Sequence, residues 1–219
     1  MKTPIASFLR EYSTRGGTRL HMPGHKGRGF SPEISHDITE VSGADVLYTP
    51  EGIILESEKL ASALYGTART LYSTEGSSLS LKAMLALTVF YAAERGEKPL
   101  VLTARNAHKS FLYAATLLDF DIEWIYGDNV ISVAITPEVL KEKLSEMQRK
   151  PTALYLTSPD YLGNVLDISA LSAVCHAYGV LLLVDNAHGA YLRFLPEDIH
   201  PIALGADACC DSAHKTLPA

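Results

Sequence analysis

Cysteine is scarce in this sequence, and the three present, Cys175, Cys209 and Cys210, form no framework of spaced pairs. Neighbouring cysteines rarely form a disulfide with each other, so we expect reduced, partly buried thiols and no disulfide scaffold. His21 and His25 have the spacing of a helical zinc pair, but a proline and a glycine between them oppose a helix. The sequence therefore predicts no metal site.

The chain also lacks a basic excess and a long hydrophobic run. Its formal net charge is −6, which provides no general attraction to nucleic acid or to an anionic membrane. Apolar runs such as residues 180–184 are far too short to cross a bilayer, and the polar first residues lack a signal-peptide core. We therefore expect a cytoplasmic protein with neither a nucleic-acid nor a membrane partner.

The hydrophobic pattern divides the chain near residue 65. Residues 1–65 are rich in scattered glycine and proline and predict an irregular arm that ends in a short helix at 55–64. Apolar runs typical of strands then alternate with helical stretches. The predicted strands are residues 69–73, 100–103, 122–126, 153–157, 180–184 and 206–210, and the predicted helices are 78–95, 107–118, 137–148 and 168–178.

The strands are continuous apolar runs, which indicates burial on both faces. Helices on both sides of a mainly parallel sheet bury strands in this way, so residues 66–219 predict a three-layer α/β domain. In such sheets ligands bind beyond the carboxyl ends of the strands. Polar residues follow five of the predicted strands, at 73–78, 104–108, 157–161, 185–188 and 211–215.

Two of these strand ends have features that suit a ligand. Gly76, Ser77 and Ser78 precede a long helix, where free backbone N–H groups bind phosphate, although an ordinary turn with a serine cap has the same pattern. No Gly-x-Gly-x-x-Gly or Walker lysine supports a nucleotide. Asp185 ends the most hydrophobic strand, where a carboxylate needs water or a cation such as a protonated pyridine nitrogen. A solvated aspartate that caps a turn is the alternative.

Several short motifs occur together in a fixed order along the chain. They are HMPGHK at 21–26, NAHKS at 106–110, DNAHG at 185–189, GAD at 205–207 and SAHK at 212–215. In this combination the chain resembles the ornithine/lysine/arginine decarboxylase family of fold type I pyridoxal-phosphate (PLP) enzymes. The resemblance implies the large PLP-binding domain of that fold, which agrees with the α/β pattern.

The resemblance implies a role for each matching position. Lys215 would form a Schiff base with PLP, Asp185 would pair with the pyridine nitrogen, and His108 would stack on the ring. His188 and His214 would lie beside the ring or the lysine.

The phosphate of PLP would bind at the other end of the same site. Ser77, Ser78 and Ser212 would hold the phosphate in this arrangement. Gly76 would allow the backbone to approach it closely.

The implied reaction is PLP-dependent decarboxylation of lysine, arginine or ornithine to a diamine or amine. Asn186 and Tyr191 depart from the family, which commonly has glutamate and histidine at these positions. Another PLP reaction, such as aminotransfer, therefore remains an alternative, as does a non-catalytic subunit.

The resemblance also implies more polypeptide than this chain contains. Family members continue past the lysine with another strand and a smaller C-terminal domain, and Thr216 to Ala219 leave no room for either. We therefore expect an incomplete large domain that needs a missing C-terminal region or a complementary chain. Family members assemble at least as dimers, so a homodimer or higher homo-oligomer is also expected.

Overall fold

The structure, a computed structural model, describes residues 2–127, 133 and 135–218. The chain forms two compact units, Met1–Tyr72 and Ser73–Ala219. The candidate site lies within the second unit.

The first unit contains two α-helices and a short 3₁₀ helix. They are α1 (Pro4–Thr14), the 3₁₀ turn Pro32–His36 and α2 (Ile53–Tyr65). The sequence analysis predicted α2 and missed α1, although Pro4 at its first turn is a favourable start for a helix. Asp45 accepts hydrogen bonds from the backbone N–H groups of Glu51, Gly52 and Ile54 before and within α2, and these bonds hold the pKa of Asp45 well below its usual range.

The second unit is built on a five-stranded parallel sheet. The strands are β1 (Leu100–Ala104), β2 (Asp121–Ile125), β3 (Ala153–Thr157), β4 (Leu181–Asn186) and β5 (Ala208–Asp211). Their order in the sheet is β2-β1-β3-β4-β5, and every neighbouring pair is parallel. The predicted mainly parallel sheet is confirmed. Its parallel direction brings all five carboxyl ends to one edge of the sheet.

Helices cover both faces of this sheet. They are α3 (Gly76–Glu94), α4 (Lys109–Leu118), α5 (Pro137–Glu146), α6 (Ile168–Ala177) and the one-turn α7 (Ala213–Thr216). Val101, Tyr155 and Leu183 pack in a core with residues of α3 and α4. Leu102, Leu154 and Leu182 pack with residues of α5 and α6 on the other face. Side chains alternate between faces along a strand, so two-sided burial explains the continuous apolar runs.

The prediction of a strand at residues 69–73 is wrong. Thr70 donates its backbone N–H to Ser62 Oγ at 2.8 Å, and Tyr72 donates its own to Glu58 Oε1 at 3.0 Å. Side chains of α2 thus accept the hydrogen bonds that these backbone N–H groups would donate to a neighbouring strand in a sheet. No strand within the described residues pairs with this segment.

Among the described residues, helix α3 has the length and composition of a segment that could cross a membrane, with a mean hydropathy of 1.3. Ser80, Lys82 and Thr88 interrupt the helix, so its sequence shows no long continuous apolar run. Leu81, Met84 and Leu85 are buried in the core of the second unit. Core helices of soluble proteins satisfy the same length and composition test.

Candidate active site

A pocket lies at the carboxyl ends of the strands and brings together six of the nine predicted site residues. Its volume is about 340 Å³ when the space open to solvent is counted. The predicted residues that line it are Ser77, Ser78, His108, Asp185, His188 and Lys215. They come from the ends of different elements, as expected for a ligand site in a parallel sheet.

Asp185 lies near the end of β4 and is only 5% exposed. Its Oδ2 accepts a hydrogen bond from the Tyr155 hydroxyl at 3.0 Å, and its Oδ1 accepts one from the Ala187 N–H at 3.2 Å. The Cys210 thiol lies 3.6 Å from Oδ1 as a weak donor. Asp185 forms no ion pair with any described residue, so a cationic ligand group in the pocket would provide its missing counter-charge.

Tyr155 and Cys210 were missed by the sequence analysis. Burial and the negative charge of Asp185 raise the pKa of Tyr155 well above 10, so its hydroxyl stays protonated and remains a donor. The pairing of β4 with β5 places Cys210 directly opposite Asp185. Neither contact has a local sequence signal, because both depend on which residues face each other across neighbouring strands.

Lys215 and His188 face each other across the pocket. Lys215 is exposed on the one-turn helix α7, and its Nζ lies 3.4 Å from His188 Nε2. Burial, and then the positive charge of Lys215, lower the pKa of His188. The lowered pKa favours the neutral imidazole, which can accept a hydrogen bond from the lysine amine.

His108 is the N-cap residue of α4. Its Nδ1 accepts the backbone N–H of Ser110 at 3.2 Å and lies 3.0 Å from Ser110 Oγ, which in turn lies 2.9 Å from Ser78 Oγ. The exposed Tyr161 ring lies 6.5 Å from the His108 ring and 5.8 Å from the His188 ring. The hydrogen bonds through Ser110 connect Ser78, at the start of α3, to His108 and hold the His108 imidazole in one orientation.

The beginning of α3 forms the end of the pocket that suits a phosphate. Gly76, the first residue of α3, has a φ of 70°. The first N–H groups of a helix have no intrahelical partner, and no side chain caps those of α3. Ser77 and Ser78 add hydroxyl donors at the same position. A helix N-terminus with free N–H groups and hydroxyls favours an anion.

The three other predicted residues do not line the pocket. Gly76 adjoins Ser77 at the start of α3, and a Cβ added there would meet no atom within 4 Å. Ser212 is buried at the end of β5, where its Oγ lies 3.4 Å from Nδ1 of the exposed His214. The roles of these residues remain predictions.

The donor and acceptor set fits PLP. Thr157 Oγ1 is buried at the pocket and adds a polar group to its lining. The buried carboxylate of Asp185 suits a protonated ring nitrogen, and Lys215 supplies a primary amine. The α3 N-terminus supplies donors for a phosphate.

Comparison with known proteins decides the family. A sequence model described as "Orn/Lys/Arg decarboxylase, major domain" matches residues 3–219. The chain belongs to the Orn/Lys/Arg decarboxylase family. The family prediction made from the five motifs is therefore confirmed.

The relatives of this family member are much longer proteins. The chain is 33% identical to the uncharacterized protein YaaO of Bacillus subtilis, over 100% of the chain and 47% of that protein. It is 32% identical to an arginine decarboxylase of Bacillus anthracis, over 98% of the chain and 45% of that enzyme. The chain thus spans slightly less than half the length of these relatives.

Solved structures share the fold of this decarboxylase-family chain. Mouse CSAD in its apo form has a TM-score of 0.63 at 21% identity, covering 75% of this chain and 38% of that one. Oryza sativa TDC with PLP and tryptamine has a TM-score of 0.59 at 17% identity, covering 74% of this chain and 38% of that one. At these identities the likeness shows the fold alone.

Proposed function

We propose that this chain carries the cofactor-binding part of a PLP-dependent decarboxylase that acts on lysine, arginine or ornithine. The observation that carries the proposal is the buried Asp185 carboxylate, which has no ion-pair partner among the described residues and shares a pocket with Lys215. The family model and the arginine decarboxylases at 32% and 30% identity support the reaction and the basic substrate.

Each pocket residue has a task in this proposal. When bound, PLP supplies an electron sink for the electron pair left behind as the substrate carboxylate departs as carbon dioxide. Lys215 would hold the cofactor covalently, and Asp185 would keep its ring nitrogen protonated. His108 would lie against the ring. Ser77, Ser78 and Ser212 would hold the phosphate.

His188 would position the Lys215 amine. Its Nε2 lies 3.4 Å from the lysine Nζ, and a neutral imidazole, which the lowered pKa of His188 favours, accepts a hydrogen bond from that amine. Tyr155 and Ala187 donate hydrogen bonds to the two oxygens of Asp185 and hold its carboxylate in one orientation.

We infer that the active protein is a cytoplasmic homodimer or higher homo-oligomer, with substrate contacts from polypeptide outside this chain. The exposed apolar side chains of α3 and α4 support self-association. The length of the relatives, more than twice the matched region, supports further polypeptide in the site.

Covalent capture of PLP tests the cofactor part of the proposal. We expect the chain to develop the absorbance band of lysine-bound PLP, and borohydride reduction followed by peptide mass spectrometry to place the adduct on Lys215. Lys215→Ala should lose the band and the adduct. Lys109→Ala, at the start of α4, is the matched control and should retain both. An adduct on another lysine, or no uptake of PLP, would contradict the proposal.

Product analysis tests the reaction. The PLP-loaded protein, with any polypeptide that completes it, should release carbon dioxide and the corresponding amine from lysine, arginine or ornithine. Aminotransfer is the second candidate, favoured by Asn186, whose Nδ2 donates to Asp211 where the family commonly has glutamate. A keto acid without carbon dioxide would establish that alternative while leaving PLP binding intact.

A further inference from the structure

Three side chains with metal-binding atoms meet beside β5. His200 Nε2 lies 3.2 Å from Asp211 Oδ2, and Cys209 Sγ lies 4.0 Å from each of these two atoms. His200 is fully buried, while Cys209 and Asp211 are partly exposed. A thiol, an imidazole and a carboxylate, all within 4.8 Å of one another, form a mixed ligand set that suits a transition metal.

This cluster is separate from the candidate active site. Cys209 and Asp211 are two residues apart on β5 and therefore point to the same face of the sheet. Cys210 lies between them and points to the opposite face, where it contacts Asp185. The cluster thus lies on the α5 and α6 side of the sheet, whereas Cys210 packs in the core on the α3 and α4 side.

The separations are close to those around zinc. With typical bond lengths, neighbouring ligand atoms of a tetrahedral zinc are roughly 3.2 to 3.7 Å apart. The contact between His200 and Asp211 has this length already, and the Cys209 sulfur needs to move by only a few tenths of an ångström to reach it. Cys209 and Asp211 are partly exposed, so solvent reaches this side of the cluster.

Outer contacts hold two of the three ligands in place. Asn186 Nδ2 donates to Asp211 Oδ1 at 2.5 Å, while His200 Nε2 lies 3.2 Å from Asp211 Oδ2 and 3.4 Å from Oδ1. The backbone N–H of His200 donates to Asp198 Oδ1 at 3.1 Å, and Arg193 pairs with Asp198. Oriented ligands of this kind are typical of metal sites.

We propose that His200 Nε2, Cys209 Sγ and Asp211 Oδ2 bind a divalent transition-metal ion, with zinc as the best match to the ligand set. The ion joins the end of β5 to the segment that contains His200. Because Ser212 follows Asp211 directly and Lys215 lies four residues after Asp211, the ion stabilises the start of the segment that carries the lysine. Binding releases the Cys209 proton to solvent, since the thiolate is the ligand.

The competing explanation is a hydrogen-bonded pair of His200 and Asp211 alone. Such a pair needs no cysteine, so it predicts that Cys209 has no effect on any bound cation. The Ile202 N–H donates to His200 Nδ1 at 3.4 Å, which requires the ring proton to be on Nε2. This long contact favours that metal-free tautomer only weakly. Metal binding at Nε2 would move the ring proton to Nδ1 and break that contact.

A cobalt titration separates the two explanations. We expect tag-free, PLP-free protein to develop a near-ultraviolet thiolate-to-cobalt charge-transfer band when Co²⁺ is added, and stoichiometric Zn²⁺ to abolish it. Cys209→Ser should lose the band. Cys210→Ser and Cys175→Ser are matched controls, since these thiols lie outside the cluster, and both should retain the band.

Zinc affinity gives a second measure. We expect His200→Asn and Asp211→Asn to weaken Zn²⁺ binding by more than about 100-fold, beyond the loss typical of an outer-shell partner. Circular dichroism of each variant verifies folding, and Cys209→Ser provides the decisive comparison if a histidine variant misfolds. The proposal is overturned if the wild-type protein shows no charge-transfer band, or if the band survives in Cys209→Ser. Neither readout depends on PLP.

Discussion

Asp185 combines burial, hydrogen-bond donors on both oxygens and the lack of an ion-pair partner within the described residues. Removing a hydrogen-bond donor to a buried charge costs more than removing one at the surface, because water does not replace it. Tyr155 is the strongest side-chain donor to this carboxylate and is itself fully buried. At the residue scale, Tyr155 therefore contributes both to the stability of the core and to the position of Asp185 in the candidate site.

We expect Tyr155→Phe to lower the free energy of unfolding by about 1.5 to 3 kcal/mol, the range for hydrogen bonds to charged groups. The ring remains, so packing against Phe111 is preserved. Urea unfolding monitored by circular dichroism measures the change. Tyr113→Phe, at an exposed position on α4, is the control and should change stability little. Equal losses in the two variants would contradict the assigned role of the Tyr155 hydroxyl.

The second residue-scale prediction concerns the pKa of His188, which burial and Lys215 lower. As the pH falls, the unfolded chain binds this proton before the folded chain does. The contribution to stability is therefore present above the ordinary histidine pKa of about 6.5 and is lost as the pH falls through the lowered pKa. NMR titration should show that Lys215→Met raises the pKa of His188. Lys109→Met should leave it unchanged, and an unchanged value in both would exclude Lys215 as a cause.

At the element scale, the turn after β4 sets the position of His188. Gly189 ends this turn, and a Cβ at that position would lie 2.0 Å from Asn186 Oδ1 and 2.6 Å from Pro159 Cδ. Real Cβ atoms do not approach other atoms so closely, so the turn requires glycine for space. The DNAHG motif therefore contains a structural requirement in addition to its polar groups.

We expect Gly189→Ala to lower the free energy of unfolding by about 1 to 3 kcal/mol, as other overpacked substitutions do. The displaced turn should also weaken PLP binding, because it carries His188. Gly17→Ala is the control, since a Cβ there meets no atom within 4 Å and φ is not positive. Chemical denaturation and PLP titration measure the two effects. Unaltered stability in Gly189→Ala would show that the turn relaxes without cost.

On the scale of the whole molecule, the helical layer of α3 and α4 exposes large apolar side chains. Leu87, Phe90 and Tyr91 lie on one side of α3 by their spacing of three and four residues, and they are 64%, 63% and 38% exposed. Leu117 on α4 is 69% exposed. Exposed apolar side chains in such number on one helical layer are typical of interfaces, which supports the proposed homo-oligomer.

We expect Phe90→Glu to shift the protein towards the monomer, because burying the new charge in an interface is unfavourable. Light scattering coupled to size-exclusion chromatography measures the mass. Val139→Glu, at an exposed position on α5 in the other helical layer, is the control and should keep the wild-type mass. A wild-type monomer, or equal effects of both substitutions, would contradict this use of the α3 surface.

Sequence alone determined the family and most of the element order. Continuous apolar strands predicted the parallel sheet, because burial on both faces leaves no alternation to see. The positions that follow strands predicted His108, Asp185 and Lys215 near one another, since parallel strands end at the same edge. Ser77 joins them at the start of α3, although the strand predicted before it does not form. These features are local or periodic, and a single chain displays them directly.

Only the tertiary structure decided which distant residues meet. Strand pairing set Cys210 beside Asp185 and Asn186 beside Asp211, and packing brought the Tyr155 hydroxyl to the same carboxylate. It also assigned the N–H groups of residues 70 and 72 to side chains of α2, so a segment with strand-like composition formed no strand. Strand register and side-chain competition for backbone donors depend on residues far apart in the sequence, and no local pattern encodes them.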